Sequence, residues 1–169
     1  MPIVPDRNLP IRAHEPFEIS KFLPLRLSVL SHRLTRAVQS ITAAKFGLSA
    51  SEWRVIALLA QNGQMTCGLL CAQTTMDKVR VSRTVIRLID AGNITRDSDP
   101  RDRRRAMVTL TPEGLDLYHR IVPLMQDFEE NLTSDFKQDE RRNFDGALSK
   151  LEAYAKKDGA DVRDEAEKS

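Results

Sequence analysis

Arginine side chains dominate two short stretches of this chain and suggest the chemistry that it performs. Arg80, Arg83 and Arg87 are spaced by three and four residues, which places them on one face of a helix. Four more arginines fall within residues 101–105. Guanidinium groups keep their charge and carry forked N–H donors, which suit phosphates and the acceptor edges of bases. The two clusters therefore predict a surface that binds a polyanion.

The distribution of charge along the chain agrees with this interpretation, although the net charge is only +2. Residues 1–62 contain eight Lys and Arg against four Asp and Glu, and residues 63–125 contain ten against seven. Residues 126–169 contain eight against thirteen. A polyanion would be attracted by the first two-thirds of the chain and repelled by the last third.

The first arginine cluster lies on a predicted amphipathic helix, residues 77–90. At 100° per residue, Val81, Val85 and Leu88 fall on the face opposite the arginines. Gly92 is expected to end this helix in the left-handed conformation. Such a helix can bury one face in its own domain and place the other in the major groove of DNA. We expect the DNA contacts here to come from Thr75, Lys78, Val79, Arg80, Ser82, Arg83 and Arg87.

The second arginine cluster lies at the tip of a predicted β-hairpin. Residues 94–96 and 106–110 alternate in polarity like strands, and the charged segment 97–105 between them is rich in turn residues. Arginine suits a narrow, electronegative minor groove, so Arg101, Arg103 and Arg104 are predicted DNA contacts. Asp102 is expected to brace Arg104 or Arg105 and so to hold the hairpin in shape.

Five further helices are expected around this pair of elements. The first begins at Leu23 or Pro24 and ends at Gly47. A capping box, Ser49 to Glu52, opens the second, and the third covers residues 66–74. The helices that follow the hairpin begin at Thr111–Pro112, with Thr111 as the N-cap, and cover residues 138–155.

The predicted fold class is mainly α with a small β-wing, a winged helix-turn-helix flanked by N- and C-terminal dimerisation helices. Leu27, Leu30, Leu34, Val38 and Ile41 form a narrow apolar stripe on the first helix, which suits a helix shared by two subunits. The predicted organisation is a flexible arm, a dimerisation region in two parts, a DNA-binding domain and a disordered acidic tail. These segments are 1–19, 20–47 with 112–157, 48–111 and 158–169.

Four motifs of this chain closely resemble those of MarR-family transcriptional regulators. They are the segments Gly47–Ile56, Met76–Arg83, Asp99–Arg104 and Leu110–Gly114. The resemblance covers about residues 20–155. It implies a homodimer built from the first and the last two helices, which binds a palindromic operator in double-stranded DNA, usually as a repressor relieved by a small-molecule effector.

The resemblance also implies a ligand cavity between the dimerisation helices and the winged domain. Ser28, His32, Trp53 and Arg54 are the candidate ligand-binding residues. An arginine, a histidine and an aromatic ring would suit an aromatic acid or its CoA thioester. The alternative is that Trp53 belongs to the core, Arg54 pairs with an acid and His32 lies on the surface.

Two cysteines, Cys67 and Cys71, depart from the family pattern in the third helix. They leave open a thiol-based, redox-responsive regulator, although Cys71 also fits an inward-facing core position. A less favoured alternative is a winged-helix adaptor that binds protein, for which the exposed face of the helix 77–90 would be apolar rather than rich in arginine.

The sequence lacks the residue sets that other functions require. Three scattered histidines, at 14, 32 and 119, and the absence of a glycine-rich loop indicate neither an enzyme nor a cofactor, and no metal-ligand set is present. No apolar run approaches the roughly 20 residues that a membrane helix needs. The prolines and charges of residues 1–16 do not resemble a signal peptide, and two cysteines one helical turn apart suit a reducing cytoplasm.

Overall fold

The computed structural model of the chain describes residues 17–74, 76–98 and 106–166. It is mainly helical and contains one small antiparallel sheet, so the predicted fold class is confirmed. After a short 3-10 turn, the elements in chain order are α1 (Leu23–Phe46), α2 (Ala50–Asn62), β1 (Met65–Thr66), α3 (Cys67–Thr74), α4 (Lys78–Asp90), β2 (Ile94–Ser98), β3 (Ala106–Leu110), α5 (Pro112–Thr133) and α6 (Gln138–Ala166).

The chain forms two compact units, and the boundary between them falls after Leu115, within α5. The first unit therefore contains α1 as well as the elements of the predicted DNA-binding domain. The organisation predicted from the sequence groups α1 with the dimerisation region instead.

Local sequence features set the limits of α1 and α2 as predicted. Helix α1 begins at Leu23 with Pro24 in its first turn, and it ends at Gly47, whose φ of 67° is left-handed. The capping box is formed, because the Ser49 amide donates to Glu52 Oε2 at 2.6 Å and the Glu52 amide donates to Ser49 Oγ at 3.2 Å. These bonds satisfy amides that the first turn of α2 cannot satisfy by itself.

Side chains of α1 also position the start of α2. Gln39 Oε1 accepts a hydrogen bond from the Ala50 amide at 2.6 Å. The fully buried Thr42 donates from Oγ1 to the carbonyl of Leu48 at 2.9 Å. The start of α2 is therefore fixed both by its own cap and by α1.

The sheet has the strand order β1–β3–β2, with both pairs antiparallel. Ile94 lies opposite Leu110, and Met65 lies opposite Val108. The hairpin of β2 and β3 confirms the two predicted strands, whereas the sequence pattern does not predict β1. Two residues are too short to show an alternating pattern, and β1 is defined only by its partner in the sheet.

Apolar residues from α2, α3, α4 and the three strands form the core of the first unit. The members that are at most 2% exposed are Val55, Ile56, Leu59, Met65, Leu70, Val81, Val85, Leu88, Ile94 and Val108. Burial of each such side chain contributes about 1.5–3 kcal/mol relative to an exposed position. The inward face of α4 is thus held firmly, and the opposite face is left free for a ligand.

Helix α6 extends to Ala166, past the end at residue 155 that the sequence predicts. The expectation of a disordered tail from residue 158 is therefore wrong for the backbone up to Ala166. The segment 156–166 has little apolar content, which favours disorder, but it contains no proline, and Ala, Glu, Lys and Arg make up six of its eleven residues. Those residues favour helix through their intrinsic propensity, which needs no buried face.

Candidate nucleic-acid interface

Helix α4 presents a basic face to solvent because its other face is buried. Val81, Val85 and Leu88 are at most 1% exposed, as the periodicity predicts. Arg80, Arg83 and Arg87 are all exposed on the opposite side. The other predicted contacts on this helix, Lys78, Val79 and Ser82, are exposed as well. The structure thus leaves every candidate on α4 exposed and brings Val79, Arg80, Arg83 and Arg87 to one surface, whereas Thr75 lies outside the described residues.

The first turn of α4 is fixed by a side-chain cap. Asp77 is the N-cap, and its Oδ1 accepts a hydrogen bond from the Arg80 amide at 2.7 Å. Thr84, which is 5% exposed, donates from Oγ1 to the Arg80 carbonyl at 2.8 Å. Both the backbone amide and the backbone carbonyl of Arg80 are therefore hydrogen-bonded to side chains.

The Arg80 side chain is also held, by a residue that sequence reasoning missed. Arg80 Nε donates to Ser51 Oγ at 3.1 Å, and Ser51 is only 7% exposed. Ser51 belongs to the first turn of α2, and 29 residues separate it from Arg80. No local pattern in the sequence indicates this contact, because it depends on how α2 and α4 pack.

A cavity of about 620 Å³ opens beside α4 at this point. Its lining includes Ser51, Asp77, Val79, Arg80, Arg83 and Arg87. Three guanidinium groups around one concave surface could bind an anionic phosphate or the neutral acceptor edge of a base. Arg80, Arg83 and Arg87 thus share one concave surface.

The wing is described only in its strands. Arg96 on β2 is exposed, and it adds a basic side chain to the hairpin that the sequence-based candidates did not include. The predicted tip contacts Arg101, Arg103 and Arg104, and the bracing residue Asp102, lie outside the described residues. Their roles stay predictions.

At its base the wing is joined to the turn after α4 by hydrogen bonds to two backbone carbonyls. The Thr111 amide donates to the Asn93 carbonyl at 3.0 Å, and Thr111 Oγ1 donates to the Gly92 carbonyl at 2.7 Å. Thr111 also caps α5, because its Oγ1 accepts from the Gly114 amide at 3.0 Å. This arrangement sets the direction in which the hairpin leaves the core.

The four candidate ligand residues have different surroundings. Ser28 and His32 are exposed on α1, and Trp53 is half-buried. Arg54 is exposed, and its Nη1 donates to the Thr74 carbonyl at 3.3 Å, so its partner is a backbone group at the end of α3. None of the four lines the cavity beside α4. Their role in ligand binding stays a prediction.

The two thiols are free and half-buried on α3. Cys71 therefore does not belong to the fully buried core, although Leu70 next to it does. Within the part of the chain that is described, no three His, Cys, Asp or Glu side chains are grouped so that they could hold a metal ion. Nor does any helix described here have the length and apolar character needed to cross a membrane.

Comparison with known proteins agrees with this geometry. A model of the MarR family matches residues 46–105. The HTH-type transcriptional regulator YwoH of Bacillus subtilis is 33% identical over 99 residues, which are 59% of this chain and 72% of YwoH.

Solved structures share the fold along most of the chain. A MarR/EmrR-family regulator from Acinetobacter sp. ADP1 superposes with a TM-score of 0.77 at 24% identity, covering 83% of this chain and 99% of that protein. BpsR from Bordetella bronchiseptica superposes with a TM-score of 0.73, also at 24% identity, covering 81% and 97%.

Proposed function

The chain belongs to the MarR family of winged helix-turn-helix, DNA-binding transcriptional regulators, and from this premise we propose that it is a homodimeric repressor released by a small-molecule ligand. The observation that carries the proposal is the division of α4 into two faces. Arg80, Arg83 and Arg87 are exposed, while Val81, Val85 and Leu88 are buried. The proposed activity consists of binding and release, and it needs no catalytic residue or cofactor. We expect it to take place in the cytoplasm, with the DNA.

Two copies of α4 in a homodimer would enter successive major grooves of a palindromic operator, about one helical turn apart. Arg83 and Arg80 would contact base edges, while the wing arginines would hold the flanking minor grooves. Base contacts confer sequence preference, whereas phosphate contacts mainly confer affinity and salt dependence.

Exposed apolar side chains support dimerisation through the terminal helices. On α1, Leu23, Leu27 and Leu30 are 44%, 36% and 45% exposed. On α6, Phe144 and Leu151 are 48% and 37% exposed. A second copy of the chain would remove such surfaces from water.

An aromatic acid or its CoA thioester is the proposed ligand class. Ser28, His32, Trp53 and Arg54 supply the hydrogen-bond donors, positive charge and aromatic ring that such a ligand needs. BpsR, which shares the fold, has its DNA binding regulated by 6-hydroxynicotinic acid, an aromatic acid. To release the operator, the ligand must bind the free protein more tightly than the DNA-bound protein.

Selection of duplexes from a random-sequence pool, followed by salt titration, tests the DNA-binding part. We expect the parent to select a palindromic sequence and to bind a random duplex with a steep salt dependence. Arg83→Ala should weaken binding to the selected duplex by about 10-fold or more and relax the preference at one position per half-site. Arg103→Ala should weaken binding to both duplexes equally. It should also lower the slope of log affinity against log salt concentration by about 1 for each phosphate that the protein no longer neutralises.

Arg142→Ala is the matched control, because it removes an exposed arginine from α6, far along the chain from the interface. It should leave both affinities unchanged. A parent that selects no sequence, or an Arg83→Ala variant that binds the selected duplex as tightly as the parent, would contradict the proposed DNA contacts. Native mass spectrometry of the full chain, purified from its host, tests for a bound aromatic acid.

A further inference from the structure

We propose that Ser51 is a positioning residue that orients the Arg80 guanidinium for base recognition. The inference rests on the proposed function, because it concerns how one of the proposed base contacts is presented. Its starting point is the hydrogen bond of 3.1 Å from Arg80 Nε to Ser51 Oγ, which joins the first turns of α4 and α2.

The acceptor in this bond lies in a turn that is buried and held by several hydrogen bonds. Ser51 is 7% exposed, and it follows Ala50, whose amide donates to Gln39 Oε1 at 2.6 Å. The capping box of Ser49 and Glu52 stabilises the same turn of α2. Ser51 Oγ therefore occupies a position that α1 and the cap of α2 determine together.

The donor is fixed at its backbone end as well. The Arg80 amide is bound by Asp77, and the Arg80 carbonyl accepts from Thr84. With both ends restrained, the three methylene groups of the side chain lose most of their freedom before any DNA is bound. Such preorganisation raises affinity, since the ordering of a long side chain no longer opposes binding.

The bond also selects which edge of the guanidinium faces outward. A guanidinium is planar and has five N–H donors, of which Ser51 uses the one on Nε. The pair Nη1 and Nη2 stays available as a fork, and a bidentate fork is the geometry that distinguishes the O6 and N7 acceptors of guanine. Ser51 thus favours a contact that reads a base over one that only neutralises a phosphate.

Arg83 and Arg87 provide the contrast, since they lie on the same face and line the same cavity. Among the hydrogen bonds of the described residues, only Arg80 of these three has a side-chain bond to another helix. We therefore expect Ser51 to affect the preference at the position that Arg80 contacts and to leave the other positions unchanged.

The test measures discrimination, the ratio of affinities for the duplex that the parent selects and for a random duplex of equal length. In the full-length protein, Ser51→Ala should lower this ratio by about 3- to 10-fold, corresponding to the ordering of one side chain. Affinity for the random duplex should stay within twofold of the parent. Arg80→Lys, which keeps the charge but lacks an Nε donor, should cause a similar loss with Ser51 intact.

The control repeats Ser51→Ala in a protein that already carries Arg80→Ala. If Ser51 acts through Arg80, then Ser51→Ala should cause no further loss of discrimination when Arg80 is already Ala. A merely structural role would instead lower binding equally in both backgrounds. The Nε–H resonance of Arg80 should exchange with water more slowly in the parent than in Ser51→Ala, which reports the bond directly.

The outcomes separate this inference from the proposed function. If the parent discriminates and Ser51→Ala keeps its ratio within twofold, or if the two substitutions add, the positioning role is wrong while the proposed function stands. If the parent selects no duplex, the proposed function fails and the inference fails with it.

Discussion

Helix α4 is held by hydrogen bonds to side-chain acceptors at its start and by hydrogen bonds to backbone carbonyls beyond its end. At the start, Asp77 Oδ1 caps the Arg80 amide, and Ser51 Oγ accepts from Arg80 Nε. Beyond the end, the Thr111 amide donates to the Asn93 carbonyl, and the carbonyl of Gly92 accepts from Thr111 Oγ1. These hydrogen bonds add to the packing of the buried face of α4, where Val81, Val85 and Leu88 are at most 1% exposed.

The two ends of α4 therefore have different roles, one in placing the wing and one in presenting Arg80. At the end of α4, backbone geometry sets where the wing begins, and a substitution there acts mainly on the stability of the fold. At the start, side chains set how Arg80, a proposed DNA contact, is presented, so substitutions there should act on binding. Changes at the two ends of α4 should therefore affect different measurements.

The largest expected effect is that of Gly114→Ala, in the first turn of α5, where it approaches the chain just after α4. A Cβ at Gly114 would overlap the carbonyl oxygen of Asn93 and approach Leu110 Cδ2 to 3.2 Å. Because the obstacle is backbone, relief requires the wing base to shift. We expect the free energy of unfolding to fall by about 3 kcal/mol, as in overpacked cores. Urea denaturation at a fixed protein concentration measures it.

Gly146→Ala is the control for Gly114→Ala, since a Cβ at Gly146 on α6 would meet nothing within 4 Å. Alanine there should stabilise the helix by about 0.5–1 kcal/mol. If Gly114→Ala were as stable as the parent, close backbone approach would not be what holds the wing to α4.

The next effect is that of Gly92→Ala, at the same end. Gly92 has a φ of 73°, and an L-residue pays about 1–2 kcal/mol in this left-handed region. Nothing lies within 4 Å of the added Cβ, so the cost is conformational only. We expect a loss of about 1.5 kcal/mol in urea denaturation, with discrimination between duplexes unchanged.

Gly92→Asn is the comparison, because asparagine tolerates the left-handed region better than alanine does. It should recover part of the loss. Equal losses for Ala and Asn would show that something other than φ makes glycine necessary at this position.

These positions also show what the sequence can predict. The two faces of α4, the capping box at Ser49, the left-handed Gly92 and the N-cap at Thr111 all follow from neighbours within a few residues, and the structure confirms them. The match to the MarR family likewise confirms the resemblance of the motifs.

Other features depend on groups that are distant in the chain. The Ser51–Arg80 bond spans 29 residues, and Gly114 is required by the carbonyl of Asn93 rather than by its own backbone angles. Strand β1 exists because β3 pairs with it. The length of α6 differs from the expectation for another reason, since a segment with little apolar content can be helical through intrinsic propensity alone.

The smallest expected change in stability is that of Asp77→Ala, at the start of α4. Loss of the N-cap should cost about 1 kcal/mol, because the Arg80 amide loses its acceptor. The same substitution removes a negative charge from the cavity lined by Arg80, Arg83 and Arg87. We therefore expect weaker stability in urea denaturation together with tighter binding to a random duplex at low salt.

Asp77→Asn separates the two consequences, because asparagine caps helices about as well as aspartate and carries no charge. It should keep most of the stability and show the tighter binding to random duplex. Discrimination is the decisive measurement: if the cap helps to hold Arg80 for base recognition, Asp77→Ala lowers the ratio and Asp77→Asn does not. If both variants keep the ratio of the parent, Ser51 alone would suffice to orient Arg80, and the start of α4 would owe its role in binding to one side-chain contact.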